Sequence, residues 1–308
     1  MKVCIFGGSG SFGTAMTKKL LESTNYEIII FSRNEKLQFE HRQKTHNDRI
    51  KYIIGDIRDY NAVFNALNGV DYVLLASAMK HIDKCENNPM ECKKTNIDGC
   101  INVINASIEK KIKKLVFLST DKATDPITIY GCSKLFLEMY CQCVEKKDTE
   151  IIRTRYGNVF GSNGSVVWLF DKLAKENKKI TITDPEMTRF FMSLKDAVEL
   201  VFYALNNGKH NDLFVYNNKS CTIKELANLF SQEQEIIGNR CEEKKDETLL
   251  TINELNHSYR NGNIIKVNKN IPKSNNEKPF TSNNADRLTK EELIEMLNEW
   301  REYENSSF

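Results

Sequence analysis

Hydrophobic positions follow two alternating rhythms through the first half of the chain. Val3–Phe6, Glu27–Phe31, Tyr52–Ile54, Tyr72–Ala76, Leu115–Ser119 and Ile151–Tyr156 are short, β-branched and nearly continuous apolar runs. Strands buried on both faces have this character. Between them, Thr14–Leu21, Asn61–Leu67, Cys92–Ile108 and Leu135–Val144 carry apolar residues at helical spacing. Strand–helix alternation of this kind predicts an α/β fold, a Rossmann-type doubly wound parallel sheet.

After about Gly161 the pattern loosens into single elements. Helices are expected at Val166–Lys175, Leu194–Leu205 and Thr222–Phe230, and strands at Lys179–Thr183 and Leu213–Tyr216. The Asn- and Lys-rich stretch Asn256–Glu277 reads as a loop. Thr289–Tyr303 reads as a terminal helix, with Thr289 and Glu292 forming a capping box. Residues 1–160 are expected to form a dinucleotide-binding domain that takes back part of 190–216. Residues 161–308 are expected to be mainly a smaller C-terminal substrate-binding domain.

Composition narrows the function. The 44 basic and 42 acidic residues among 308 leave a net charge of +2, which predicts neither nucleic acid nor a membrane surface as partner. Nine cysteines, an odd number with no CxxC pair, and five histidines predict reduced thiols and no metal site. The N-terminus opens directly into a strand-like run. No apolar run is long enough to span a bilayer. A cytoplasmic location is the expectation.

Candidate chemistry begins at the first strand–helix junction. Gly7-Gly8-Ser9-Gly10-Ser11-Phe12-Gly13 has the GxxGxxG spacing at Gly7, Gly10 and Gly13. Glycines there let the backbone turn sharply and approach a pyrophosphate resting on the helix N-terminus. The second strand ends at Phe31-Ser32-Arg33, with no acidic residue to hold a ribose 2′-hydroxyl. Arg33, with Ser32 as a neutral donor, suits a 2′-phosphate instead, so NADP is the expected cofactor. Asp56, in the Gly55-Asp56-Ile57 turn, is placed to accept from the adenine amino group. The small residues Ala76-Ser77-Ala78 let a cofactor lie close to the backbone.

Tyr130 and Lys134 form a YxxxK pair on one helix face. The ammonium is expected to lower the phenol pKa, so that the tyrosine takes a proton from a sugar hydroxyl while the adjacent carbon gives up hydride. Upstream lies Ser119-Thr120-Asp121-Lys122-Ala123. Thr120 is placed to assist the hydroxyl. Asp121 and Lys122 add an acid and a base that a plain dehydrogenase or 4-epimerase does not need. An elimination needs both, the base for a C5 proton and the acid for a departing C6 hydroxyl. The competing reading is a strand-end turn with Asp121 as a helix cap.

These residues resemble the STDKAxxPxxxYGxxK block of the inverting UDP-N-acetylglucosamine 4,6-dehydratases, extended short-chain dehydrogenases, through Ser119–Ala123, Pro126, Tyr130-Gly131 and Lys134. The likeness also takes in Lys80-His81, Asn87–Pro89, Thr95-Asn96, Arg155–Val159, Gly164–Val167, Ile182–Pro185, Met187–Phe190 and Thr281–Asn283. It implies cofactor contacts from Gly7, Gly10, Ser11, Phe12, Gly13, Ser32, Arg33, Asp56, Ile57, Ala76, Asn96, Tyr130 and Lys134. It implies substrate contacts from Lys80 and Asn158, and a UDP moiety held by Thr183, Arg189 and Arg240. UDP-N-acetylglucosamine as substrate and a homo-oligomer are implied with them. Retaining relatives carry methionine in the tyrosine position, so Tyr130 favours inversion at C5. The chain departs from the family pattern at Phe6, Leu75, Asn163, Trp168 and Glu242. The rival readings are a retaining dehydratase, a UDP-sugar 4-epimerase and an NADP-sensing binding protein without chemistry.

Overall fold

The computed structural model describes residues 1–238 and 242–306. Nine strands form the central sheet: β1 Lys2–Phe6, β2 Glu27–Ser32, β3 Ile50–Ile54, β4 Tyr72–Leu75, β5 Lys114–Leu118, β6 Glu150–Arg155, β7 Leu213–Tyr216, β8 Ser258–Asn261 and β9 Ile264–Val267. Their order is β8-β9-β7-β6-β5-β4-β1-β2-β3. β1 to β7 pair in parallel, while β9 runs antiparallel to both β7 and β8. The α/β fold expected from the sequence is therefore present. β1 is flanked by β2 and β4, so the strand order reverses there, and a crevice opens beyond the carboxyl ends of these strands.

Strand alternation sorts the two faces. Cys4 and Phe6 join the helices Tyr60–Ala66, Cys100–Glu109 and Ile129–Cys143 in one core. Val3 and Ile5 join Ser11–Ser23 and Leu194–Asn207 in the other. Both faces are covered, which is why the strands read as unbroken apolar runs. A smaller core gathers Phe160, Val167, Phe170, Phe191, Leu226 and Trp300. It sits among the helices Val166–Lys175, Ile223–Ala227 and Lys290–Ser306 and a three-stranded sheet of Lys219–Thr222, Thr188–Met192 and Asn158–Val159. The Thr289–Glu292 capping box forms, with Thr289 N donating to Glu292 at 2.9 Å and Glu292 N to Thr289 at 3.2 Å. Among the described residues no helix is long and apolar enough to cross a membrane.

Two local expectations give way, and one helix comes unannounced. The stretch 256–277 is not all loop: it carries β8 and β9, a hairpin turning at Gly262 (φ +58°) that extends the central sheet. Each strand has four residues, and in β9 only Ile265 and Val267 are buried, too little for a visible alternation. The Asn261-Gly262 dipeptide is the hairpin signal that was available. Helix Glu35–Thr45 buries only Gln38 and His41, so its apolar period is absent, although Asn34 caps it by accepting from Leu37 N at 3.0 Å. The single helix expected over Cys92–Ile108 is instead Pro89–Cys92, a π-helical stretch Lys93–Gly99 and Cys100–Glu109.

Candidate active site

The glycine-rich turn is shaped by close approaches. Gly7 has φ +85°, and a Cβ there would lie 2.9 Å from Ser77 N. A Cβ on Gly13 would lie 2.4 Å from Gly8. Gly10 caps the thirteen-residue helix Ser11–Ser23 without a side-chain acceptor, so its first amides remain available to an anion. Ser11 Oγ accepts from Asn163 N at 3.3 Å, and Phe12 packs on the core. Ala76 N is tied to Phe6 O at 3.0 Å. A cradle that side chains would fill, ending on free helix amides, fits a dinucleotide.

At the end of β2, Ser32 Oγ accepts from Ser9 Oγ at 2.8 Å and from Gln38 Nε2 at 2.9 Å. Arg33 Nη1 lies 3.6 Å from Asp56 Oδ2. Arg58, which no sequence pattern marks, donates to the same carboxylate through Nε at 2.8 Å and pairs with Glu91 at 2.8 Å. Burial raises the Asp56 pKa, but hydrogen bonds from Arg58 and the charge of Arg33 outweigh it and leave the carboxyl below its ordinary value. The Asp56 carboxylate expected to meet adenine is thus engaged by Arg58. Ile57 is buried against Gly99, where a Cβ would come within 2.7 Å of it.

Asn96 lies in the π-helical stretch and is fully buried. Its amide donates to Met79 O at 2.9 Å and to Ser133 Oγ at 3.1 Å, and Met79 N donates back to its Oδ1 at 2.7 Å. It fastens the loop after β4 to the helix that carries Tyr130.

That helix, Ile129–Cys143, starts with Thr128 accepting from Gly131 N at 3.0 Å and Glu86 accepting from Ile129 N at 2.7 Å. Tyr130 and Lys134 are both buried. Lys134 Nζ donates to Leu118 O at 2.9 Å and stands 4.7 Å from the Phe117 ring centroid; burial pulls its pKa below the ordinary lysine value. The expected lowering of the Tyr130 pKa by this lysine is not what the protein alone produces. Burial pushes the phenol above its ordinary value, Tyr156 and Asp121 add to the rise, and only a hydrogen bond with Thr120 opposes it. The Lys134 ammonium is held on the strand carbonyl instead.

The turn after β5 holds the other charges. Asp121 is fully buried, with its backbone N on Tyr156 O at 3.0 Å. Thr120 Oγ1 donates to Asp121 Oδ1 at 3.0 Å. Lys122 Nζ reaches Asp121 Oδ1 at 3.1 Å, Asn158 Oδ1 at 3.2 Å and Glu247 Oε1 at 3.7 Å. Burial works against its charge, but the two carboxylates prevail and hold its pKa above the ordinary value. Lys122 is therefore an ammonium at rest and must release a proton before it can accept one. Asp121 Oδ2 and Glu247 Oε2 are buried without hydrogen-bond partners.

The residues expected to contact substrate lie apart in character. Asn158 joins the Lys122 cluster. Lys80 is exposed, yet desolvation by surrounding protein lowers its pKa. Thr183 is half-buried beyond strand Ile180–Ile182. Arg189 is buried and donates to the backbone carbonyls of Thr188 (2.7 Å), Lys244 (2.8 Å) and Lys245 (3.1 Å), so here it braces the 244–245 segment. Arg240 lies outside the described residues. Glu247, Arg58 and Tyr156 are residues of this region that sequence reasoning missed.

This constellation has relatives. The family described as polysaccharide biosynthesis protein matches residues 3–269. Proteins named UDP-glucose 4-epimerase from Rickettsia bellii and Rickettsia canadensis are 40% and 39% identical to this chain over 95% of it and 94% of their own lengths. The X-ray structure of Pen from Bacillus thuringiensis is similar with a TM-score of 0.90 at 34% identity, covering 97% of each chain. The chain therefore belongs to the polysaccharide biosynthesis protein family.

Proposed function

We propose that the chain is an NADP-dependent UDP-N-acetylglucosamine 4,6-dehydratase that inverts C5. The observation that carries this reading is the Lys122 ammonium held 3.1 Å from buried Asp121, one residue from the Thr120 hydroxyl that meets Tyr130. A bound nicotinamide supplies a hydride acceptor and returns the hydride, so no net oxidation results. Tyr130, with Thr120, takes the O4 proton as the 4-ketone forms. Lys122 passes its proton to Asp121 across their hydrogen bond, leaving a neutral amine beside a carboxylic acid. The amine removes the C5 proton acidified by the ketone. The acid protonates the C6 hydroxyl, which leaves as water. Lys122 and Asp121 then stand as they began. C6 has regained a hydride, and C5 gains a proton on the face opposite Lys122, which balances the proton that Tyr130 took from O4 and sets the inversion. Arg33 and Arg58 set two positive charges against Asp56, which supports a cofactor bearing a 2′-phosphate.

A UDP-sugar 4-epimerase is the second reading, favoured by the name that the Rickettsia relatives carry. Incubation with UDP-N-acetylglucosamine and NMR of the product decides between them. A 6-deoxy-4-keto sugar of L-arabino geometry supports the proposal; an intact C6 hydroxyl with C4 inverted overturns it. We also propose that the enzyme pairs with a second copy of itself. Support comes from helix Ile129–Cys143, whose exposed Cys132, Phe136, Met139 and Cys143 share one face.

A further inference from the structure

Glu247 belongs to no motif and lies 125 residues from Lys122 in the sequence, yet it completes the surroundings of that lysine. It is buried beside strand Thr248–Leu250 and held by a backbone exchange with Ser282. Glu247 N donates to Ser282 Oγ at 2.9 Å, and Ser282 N donates to Glu247 O at 2.8 Å. Ser282 is in turn bonded to Thr188 Oγ1 at 2.6 Å. The carboxylate is thus mounted on the C-terminal part of the chain, whereas Asp121 is mounted on the central sheet. The Lys122 ammonium lies between the two, 3.1 Å from one and 3.7 Å from the other.

The groups facing Lys122 are few. Asp121 and Glu247 stabilise its charge, Arg189 opposes it, and Asn158 offers a neutral oxygen. Lys244 stands behind Glu247 at 3.6 Å, with its Nζ donating to Thr124 O at 2.9 Å. A pocket of about 10 Å³ opens beside Lys122, Thr128, Lys244, Glu247 and Glu242. That is roughly the room one water needs. Glu247 Oε2 is buried with no hydrogen-bond partner and lies 3.6 Å from Lys244 Nζ.

We propose that Glu247 is a positioning residue for Lys122: its buried carboxylate fixes the ammonium opposite Asp121 and holds its proton until the 4-ketone is present. This deepens the dehydratase reading and rests on it for its catalytic part. No co-reactant is required, because the proton moves only between Lys122 and Asp121. A carboxylate this close to an ammonium typically shifts its titration by about one pH unit or more. Glu247→Gln keeps shape and removes that charge.

The test is a titration of full-length protein carrying 13C at lysine Cε, with the Lys122 signal identified by its loss in Lys122→Met. Lys122 should titrate above the exposed lysines in the wild type, and about one pH unit lower in Glu247→Gln. Glu247→Asp, which keeps the charge, should return it toward the wild-type position. In parallel, the alkaline limb of dehydration should move down with the lysine, while the first oxidation, followed as reduced-cofactor absorbance, stays at its wild-type rate. An unmoved Lys122 signal in Glu247→Gln overturns the inference. So does equal loss of oxidation and dehydration, which would mark a residue needed only for folding. A wild type that makes a 4-epimer without losing water fails the dehydratase reading and is recognised by its product; the titration then still decides whether Glu247 holds the proton.

Discussion

The Lys122 ammonium stands 3.1 Å from the carboxylate of Asp121, its neighbour in the chain. Adjacent residues rarely bring their charged ends together, because successive side chains of an extended strand diverge. Here the 3-10 turn Asp121–Ala123, capped by Thr120, folds them onto one side. Lys122→Met removes the base while leaving Tyr130 and Lys134 in place. Oxidation at C4 should survive, and loss of water should fall by about 10²–10⁴-fold. Single-turnover assays that follow reduced cofactor and product together would reveal the split, and near-normal dehydration by this variant would reject the role given to Lys122.

The raised Tyr130 phenol makes the first oxidation depend on pH. Only the phenolate accepts a proton, so the rate should climb toward alkaline pH. The Thr120 hydrogen bond lowers the phenol pKa; Thr120→Val should therefore move the climb to higher pH. Tyr130→Phe should abolish oxidation at every pH. A pH profile of kcat/KM checks both expectations.

Arg33→Asp should weaken NADP binding by about ten- to a hundredfold, the loss expected when a charged hydrogen bond of about 1.5–3 kcal/mol is removed. NAD binding should change little. Calorimetric titration of both cofactors measures this, and equal wild-type affinity for the two would contradict the assignment.

Glu138 anchors a buried network. It accepts from Ser119 Oγ, from Arg155 Nε at 2.9 Å and from Arg155 Nη2. Burial raises its pKa, but Arg155 and Arg153 outweigh burial and hold it below the ordinary glutamate value. A depressed carboxyl contributes stability that is present above its unfolded-state pKa, near 4.3, and lost as pH falls through the folded-state value. Glu138→Ala should cost about 3–5 kcal/mol, since it leaves the buried Arg153 without its carboxylate and Arg155 with Glu254 alone. Urea unfolding at neutral pH measures the loss, and the wild-type advantage should shrink on acidification.

Phe136 and Met139 are about half exposed on the helix that carries Tyr130. Phe136→Glu places a charge in the middle of that stripe. Sedimentation should show the wild type as a dimer or larger and the variant shifted toward monomer. A wild-type monomer would dismiss self-association through this face.

The parallel sheet was legible because each of its inner strands is buried on both sides and leaves an unbroken apolar run such as Ile28-Ile29-Ile30. Thr120, Asp121, Lys122 and Tyr130 could be grouped from sequence because a strand end, a tight turn and a helix start keep them within eleven positions. Glu247 and Arg58 could not, because only tertiary folding brings them near Lys122 and Asp56. Helix Glu35–Thr45 was invisible for a different reason: its inward side chains are Gln38 and His41, and Gln38 works through hydrogen bonds to Ser32 and Ile53. The Tyr130 phenol was misjudged because spacing alone reports that a lysine is near, not which acceptor already holds it.

Arg155 grips two carboxylates at once, Glu138 on the helix of Tyr130 and Glu254 on helix Ile252–Asn256, and its Nη1 also holds Leu249 O at 2.8 Å. The guanidinium acts as a rivet through two parts of the molecule. Swinging the C-terminal part away as a rigid lid would break the Arg155–Glu254 ion pair and the bond to Leu249 O, while the Glu138 pair stayed with the central sheet. Any opening between the two parts therefore costs that ion pair, and the floor beneath Tyr130 stays fixed because the Glu138 half of the rivet is anchored in the sheet.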